Sequence, residues 1–137
     1  MRVLLDTNVL LDVLLKREPW VEASSAVWQA SDEGRIAGYV AACTVPDVFY
    51  IAHRLTTLQT ARAAVRIYLE AFDVCPVELQ VLKQAEGLSG ADFEDNVQIA
   101  CASLSELDAI VTRNEGDFEA AELPVVTPAE LLAQLTE

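Results

Sequence analysis

The chain has 137 residues, of which 53% are hydrophobic, and it carries a formal net charge of −13 at pH 7. This length and composition predict one soluble domain with one hydrophobic core, and they exclude a disordered chain; charges interrupt every apolar run long enough to suggest a membrane span. The acidic balance disfavours strong non-specific binding to duplex DNA or acidic membranes, so any contact with nucleic acid must be local.

The amino-terminal run and the cysteines predict a cytoplasmic protein. Asp6 and Asp12 interrupt the apolar start, whereas a secretory signal needs about 7 to 15 continuous apolar residues. Cys43, Cys75 and Cys101 are odd in number and widely spaced, which indicates reduced core thiols instead of a disulfide framework or a zinc site.

Short β-rich runs alternate along the chain with longer helical ones. Strands are predicted at 2–5, 37–42, 73–77, 109–112 and 125–127. Helices are predicted from Thr7, from Pro19, at 44–55, 57–72, 78–87 and 92–107, and from Pro128. This alternation predicts an α/β fold, a parallel sheet of four to five strands covered by helices on both faces, in one domain spanning 1–137.

Local signals predict how two of these helices begin and which face one of them buries. Thr44 is a plausible N-cap for the helix at 44–55, and Asp92 with Asp95 forms a pair resembling a capping box. The apolar stripe of the helix at 92–107 consists of Phe93, Val97, Ala100, Cys101 and Leu104.

Acidic residues fall where ligands collect in a parallel sheet, at the carboxyl ends of the strands. Asp6 ends the first strand, Asp47 lies on the third helix, Asp92 and Asp95 open the sixth, and Asp117 follows the fourth strand. Clustered carboxylates repel each other, so several at one rim imply a divalent cation. Mg²⁺ or Mn²⁺ held there can turn a bound water into a nucleophile against a phosphodiester.

Most of these acids also have a purely structural interpretation. Asp92 and Asp95 can serve as a capping pair, Asp117 can cap the segment "FEAAE", and Asp47 is an acid in a first helical turn. Helical spacing nevertheless places Asp92, Asp95 and Asn96 together beside the apolar stripe. We therefore favour a site role for Asp95 and leave Asp92 open.

Asp12 and Asp6 differ in how readily structure explains them. Asp12 can pair with Lys16 four residues later, which predicts a structural role. Asp6 has no such explanation, because Thr7 is available to cap the following helix and the burial of a carboxylate has a free-energy cost.

Three segments together resemble a known family. "LLDTNVLLD" at the amino end, "DFEDNVQIACA" at 92–102 and "IVTRNEGDF" at 110–118 resemble the PIN (PilT N-terminal) domain, and in particular the small bacterial VapC-type toxins of toxin-antitoxin systems. The resemblance covers essentially the whole chain. It implies a three-layer α/β/α sandwich, endonuclease activity on RNA, and Mg²⁺ or Mn²⁺ held by acidic residues.

The resemblance also implies roles for individual residues. The family's first, third and fourth acids fall on Asp6, Asp95 and Asp117. Its second acid is commonly Glu, and the nearest candidate here is Asp47, which is one methylene shorter. The supporting polar residues of the family fall on Asn8, Thr112 and Asn114. We expect Asp6 and Asp95 to be the main metal ligands, with Asp117, Asp47 and Asp92 completing the site directly or through water.

Substrate and partner contacts are predicted more coarsely. The candidates for guiding an RNA backbone are Arg54, Arg62, Arg66 and Arg113, although surface salt bridges are an alternative role for at least two of them. The resemblance implies a homodimer and a cognate antitoxin.

Two other functions compete with a nuclease. A non-catalytic binding module that uses its acidic face for a protein partner is suggested by the short Asp47 and the net charge. An aspartyl-phosphate phosphatase also places an acid after the first strand, but it needs a strand-end lysine, and Lys16 and Lys83 both lie in predicted helices.

Overall fold

A five-stranded parallel sheet lies between two layers of helices in the computed structural model, which describes residues 1–136. The strands are β1 (Arg2–Leu5), β2 (Ala37–Ala41), β3 (Asp73–Cys75), β4 (Ala109–Val111) and β5 (Val125–Val126). The helices are α1 (Thr7–Leu14), α2 (Val21–Asp32), α3 (Thr44–Leu55), α4 (Leu58–Ala71), α5 (Leu79–Glu86), α6 (Phe93–Leu104) and α7 (Pro128–Leu135), with a 3-10 helix at Glu115–Phe118. The predicted three-layer α/β/α fold is confirmed.

The strand order β3-β2-β1-β4-β5 puts β1 at the centre of the sheet. The strands that follow β1 in sequence, β2 and β3, lie on one side of it, and the later strands β4 and β5 lie on the other side. The crevice at such a reversal, at the carboxyl ends of the strands, is the usual ligand site of an open α/β sheet. Leu5 pairs with Val111, so the next residues, Asp6 and Thr112, lie side by side at this crevice.

The two faces of β1 belong to two separate apolar clusters. Val3 and Leu5 pack in a cluster with residues of α1, α2, α4 and α7, whereas Leu4 packs with residues of α5 and α6 on the opposite face. The alternation follows from the two-residue period of a strand. In the first layer Trp28 lies against the rings of Tyr68 and Phe72, at centroid distances of 5.4 and 4.8 Å.

Three local expectations about helices were wrong. The helix expected from Pro19 begins at Val21, and Thr44 does not cap α3, because its hydroxyl donates to the Ala41 carbonyl oxygen at 2.8 Å. The outer members of the apolar stripe on α6, Phe93 and Leu104, are 52% and 45% exposed. Packing against the sheet and α5 covers the middle of that helix more completely than its ends, so burial is continuous from 96 to 102.

Among residues 1–136, no helix combines the length and the apolar character needed to cross a bilayer.

Candidate functional site

Asp6 lies at the carboxyl end of β1 and is only 5% exposed. Its carboxylate accepts two hydrogen bonds, one from Thr112 Oγ1 at 2.8 Å and one from Gln98 Nε2 at 3.1 Å. Burial raises the pKa of Asp6, and these hydrogen bonds oppose that shift because they stabilise the charged form. Asp6 is thus a fixed, poorly hydrated acceptor, a suitable state for a cation ligand.

Thr112 ties the end of β4 to the end of β1. While its hydroxyl donates to Asp6, the same oxygen accepts the backbone N–H of Asn114 at 3.0 Å.

The expected role of Thr7 as helix cap was wrong. Asp6 occupies the N-cap position of α1, and neither side chain caps the helix. Thr7 Oγ1 is buried without a hydrogen-bond partner among the described residues.

Two more carboxylates lie at the start of α6. Asp92 is the N-cap and accepts the backbone N–H of Asp95 at 3.1 Å, which confirms the predicted cap. The pKa of Asp95 is raised to about 6, first by burial and then by the negative charges of Asp92, Asp6 and Asp117. Carboxylates contributed by three distant segments therefore lie close enough to one another to hinder ionisation.

A groove of about 340 Å³ runs between α3 in one helical layer and α6 in the other, above the end of β1. Its walls are formed by Asp6, Thr7, Asn8, Asp47, Tyr50, Ile51, Arg54, Asp92, Glu94, Asp95 and Gln98. A neighbouring cavity of about 480 Å³ shares Asp92 and Asp95 with this groove and adds Asp117 and Glu119. The five predicted acids thus line one continuous acidic depression.

Asp47 and Arg54 face the acids from the α3 side. Positions 47, 50, 51 and 54 follow the spacing of one helical face, which places all four residues on the groove. Burial raises the pKa of Asp47. Arg54 is exposed and makes no salt bridge within residues 1–136, so its guanidinium is available to a phosphate.

The other predicted RNA-guiding arginines are not at the groove. Arg62 and Arg66 are exposed on α4 and line neither cavity. Arg113 is bound to Asp12 instead: its Nε donates to Oδ2 at 2.8 Å and its Nη2 to Oδ1 at 3.3 Å. This ion pair is the alternative role that the sequence predicted for at least two of the four arginines, and Arg113 lines neither cavity.

The Asp12 pair was also predicted with the wrong partner. Asp12 is fully buried and lies near the guanidinium groups of Arg113 and Arg17, not the ammonium of Lys16. The reason is that α1 ends at Leu14, and Lys16 has a φ of 53°, which takes it off the helical face. The Arg113 guanidinium also stacks on Trp20 at 3.8 Å from the ring centroid.

The donor chemistry of the groove fits a hard divalent cation. Within residues 1–136, no group of three acidic, His or Cys side chains has the geometry of a metal site. Mg²⁺ commonly uses only one or two carboxylates and keeps several waters, and Asp6 with Asp95 supply that number. A cation would also relieve the mutual repulsion that raises the pKa of Asp95. Neither lysine lines the groove, which removes the amine that a phosphatase of this type requires.

Sequence reasoning missed Gln98 and Tyr50. Gln98 is 2% exposed and donates to Asp6, while its Oε1 has no hydrogen-bond partner within the described residues. The signal that could have identified Gln98 is its place in the sequence, a polar residue three positions after Asp95 inside an apolar helix. Tyr50 shares the helical face of Asp47 and Arg54, and the same spacing argument would have placed it on the groove.

Several solved structures with the same fold are of toxins or toxin-antitoxin complexes. VapBC2 from Rickettsia felis bound to promoter DNA matches with a TM-score of 0.72 and 12% identity, covering 93% of this chain and 98% of that one. A toxin-antitoxin complex from Klebsiella pneumoniae matches with a TM-score of 0.67 and 24% identity, over 92% of this chain and 97% of that one. VapC20 from Mycobacterium tuberculosis is a toxin that cleaves the sarcin-ricin loop. It matches with a TM-score of 0.69 and 15% identity, over 88% of this chain and 95% of that one.

Sequence comparison identifies the family independently of these structures. No curated protein sequence matches the chain significantly. The family model described as the PIN domain matches residues 2–116, which include the first two of the three segments in full and the third, at 110–118, as far as Gly116. The chain belongs to the PIN domain family.

Proposed function

We propose that this protein is a metal-dependent endoribonuclease and the toxin of a toxin-antitoxin pair. The observation that carries the proposal is the juxtaposition of Asp6 and Asp95. One is a buried carboxylate fixed by two hydrogen bonds, and the other has a pKa of about 6, raised in part by its acidic neighbours. Such an arrangement is unfavourable in the isolated protein and becomes favourable when a cation binds.

The acids of the groove have two proposed roles. Asp6 and Asp95 are the main ligands that would hold Mg²⁺ or Mn²⁺. The metal site is completed, by direct contact or through water, by Asp117, Asp47 and Asp92. When bound, the ion lowers the pKa of a water ligand and stabilises charge on the phosphate oxygens.

Other side chains position this machinery and the substrate. Thr112 and Gln98 occupy one oxygen of Asp6 each and so fix the plane of its carboxylate. Asn8 lines the groove beside Asp6, and the Asn114 backbone holds the Thr112 hydroxyl in place. Arg54, on the opposite wall, binds the phosphate backbone of the RNA.

The structural relatives support the proposed partner. Two of them are toxin-antitoxin complexes, and another is a toxin that cleaves the sarcin-ricin loop. A net charge of −13 suits an antitoxin with a basic segment that covers the acidic depression. We further propose that the protein is a homodimer.

The decisive experiment is cleavage of single-stranded RNA by the purified protein with Mn²⁺ or with EDTA. We expect cleavage only with the metal and its loss in Asp6→Asn, which keeps the shape of the side chain but removes its charge. Asp32→Asn is the matched control, because Asp32 is an exposed acid at the end of α2 that forms no salt bridge with any residue from 1 to 136. Cutting that survives in Asp6→Asn would contradict the mechanism.

A non-catalytic binding module is the second candidate. It is favoured by the absence, within residues 1–136, of three metal-binding side chains in metal-site geometry. Titration calorimetry with Mn²⁺ separates the two candidates: the nuclease takes up the ion and loses most of that affinity in Asp6→Asn and Asp95→Asn. A protein that binds no ion yet captures its antitoxin would be the binding module.

A further inference from the structure

The α3 wall of the groove carries an aromatic side chain that the fold does not use. Tyr50 is 68% exposed, and its hydroxyl makes no hydrogen bond within the described residues. Its ring contacts Phe49 edge-on, at a centroid distance of 5.7 Å. The core therefore gains little from Tyr50, although an aromatic ring is one of the largest apolar groups a chain can bury.

The surroundings of Tyr50 are those of a substrate contact. One turn before it on the same face lies Asp47 and one turn after it lies Arg54, and across the groove are Asp6 and Asp95. The ring is thus flanked by a cation suited to a phosphate and faces the carboxylates proposed to hold the metal.

The charge of the protein favours such a contact. Affinity for nucleic acid usually comes from many cations along the backbone, whereas this chain has a net charge of −13 and, among the described residues, one arginine on the groove. Stacking of a base on an aromatic ring is independent of net charge, and it accounts for about 5-fold to 150-fold in affinity per base.

We infer that Tyr50 is a base-stacking residue that restricts the substrate to unpaired nucleotides, with Arg54 binding the adjacent phosphate. This inference rests on the proposed ribonuclease function and assigns the side chain of this protein that holds the base. In a duplex both faces of each base are already stacked on neighbours, so only a single strand, a loop or a bulge can present a base to Tyr50. The groove, at about 340 Å³, lies within the size range of pockets that hold one small ligand.

The test measures binding separately from cleavage. For the binding measurements all variants are made in the Asp6→Asn background, and for cleavage Tyr50→Ala is also made with Asp6 intact. A short single-stranded RNA with one 2-aminopurine is titrated by fluorescence anisotropy and by quenching of the 2-aminopurine. Tyr50→Ala should weaken binding at least 5-fold and abolish the quenching, whereas Tyr50→Phe should retain both. Leu69→Ala, an exposed apolar residue on α4 away from the groove, is the control and should change neither.

Two further measurements complete the test. The slope of log affinity against log salt should be about −0.7, the value for one phosphate contact on a single strand, and Arg54→Gln should bring it towards zero. Sedimentation of Tyr50→Ala against its parent tests the competing role of Tyr50 as a contact between copies of the chain.

The outcomes separate this inference from the proposed function. If the protein without the Asp6 change cuts RNA with Mn²⁺ and Tyr50→Ala cuts it with an unchanged KM, the stacking role is wrong and the nuclease stands. Equal affinity of Tyr50→Ala and Tyr50→Phe for the RNA, or a loss confined to self-association, also overturns the inference. If the protein with Asp6 intact does not cut RNA with Mn²⁺, the proposed function fails, and the inference fails with it.

Discussion

Replacing Arg113 with methionine removes the main partner of the fully buried Asp12 carboxylate. Two hydrogen bonds, of 2.8 and 3.3 Å, and the stacking on Trp20 are lost. Removing one member of a buried ion pair costs about 3–5 kcal/mol, because the remaining charge has no compensation. Arg17, 3.7 Å from Asp12, provides some compensation, so we expect the lower end, about 3 kcal/mol.

Chemical and thermal denaturation measure this effect. For a domain of this size, about 3 kcal/mol corresponds to a decrease of roughly 10 °C in Tm. The double variant Asp12→Leu/Arg113→Met should lose less than the sum of its single variants, since no buried charge is left behind. Arg62→Met is the control, because Arg62 is exposed and has no ion pair in the described part of the chain, and its stability should stay within about 0.5 kcal/mol of the parent. An Arg113→Met protein as stable as the parent would refute this reasoning.

Three further predictions concern the site and the sheet. The pKa of Asp95 is raised to about 6 from an ordinary 3.8, so the metal-free protein loses stability as the pH rises from 4 to 6. Asp95→Asn should therefore raise Tm in EDTA more at pH 7 than at pH 4. Equal increases in Tm at the two pH values would contradict this. Thr112→Val should lower the free energy of unfolding by about 2 kcal/mol and weaken Mn²⁺ binding measured by calorimetry, because Asp6 loses a charge-assisted hydrogen bond. Gly38→Ala should cost about 1–3 kcal/mol in urea denaturation, since its Cβ would lie 2.8 Å from the Phe72 ring; a neutral effect would show that the ring can move.

The sequence by itself determined the class of fold and the edge of the sheet where the acids meet. Continuous apolar strands that alternate with amphipathic helices permit little other than a covered parallel sheet. In such a sheet the carboxyl ends of the strands coincide, so Asp6 and the segment after β4 had to lie at one edge. The motif resemblance supplied the family, which the match over residues 2–116 then confirmed.

Tertiary structure alone decided which polar side chains serve the site and which serve the fold. Arg113 contacts Asp12 across 101 positions of sequence, and Gln98 contacts Asp6 across 92. Helical spacing reports only on neighbours within a few turns, so it paired Asp12 with Lys16 and left open whether Arg113 contacts RNA or forms a salt bridge. The physical reason is that a buried charge is stabilised by whatever opposite charge the packing of distant elements brings to it, and local spacing carries no information about that packing.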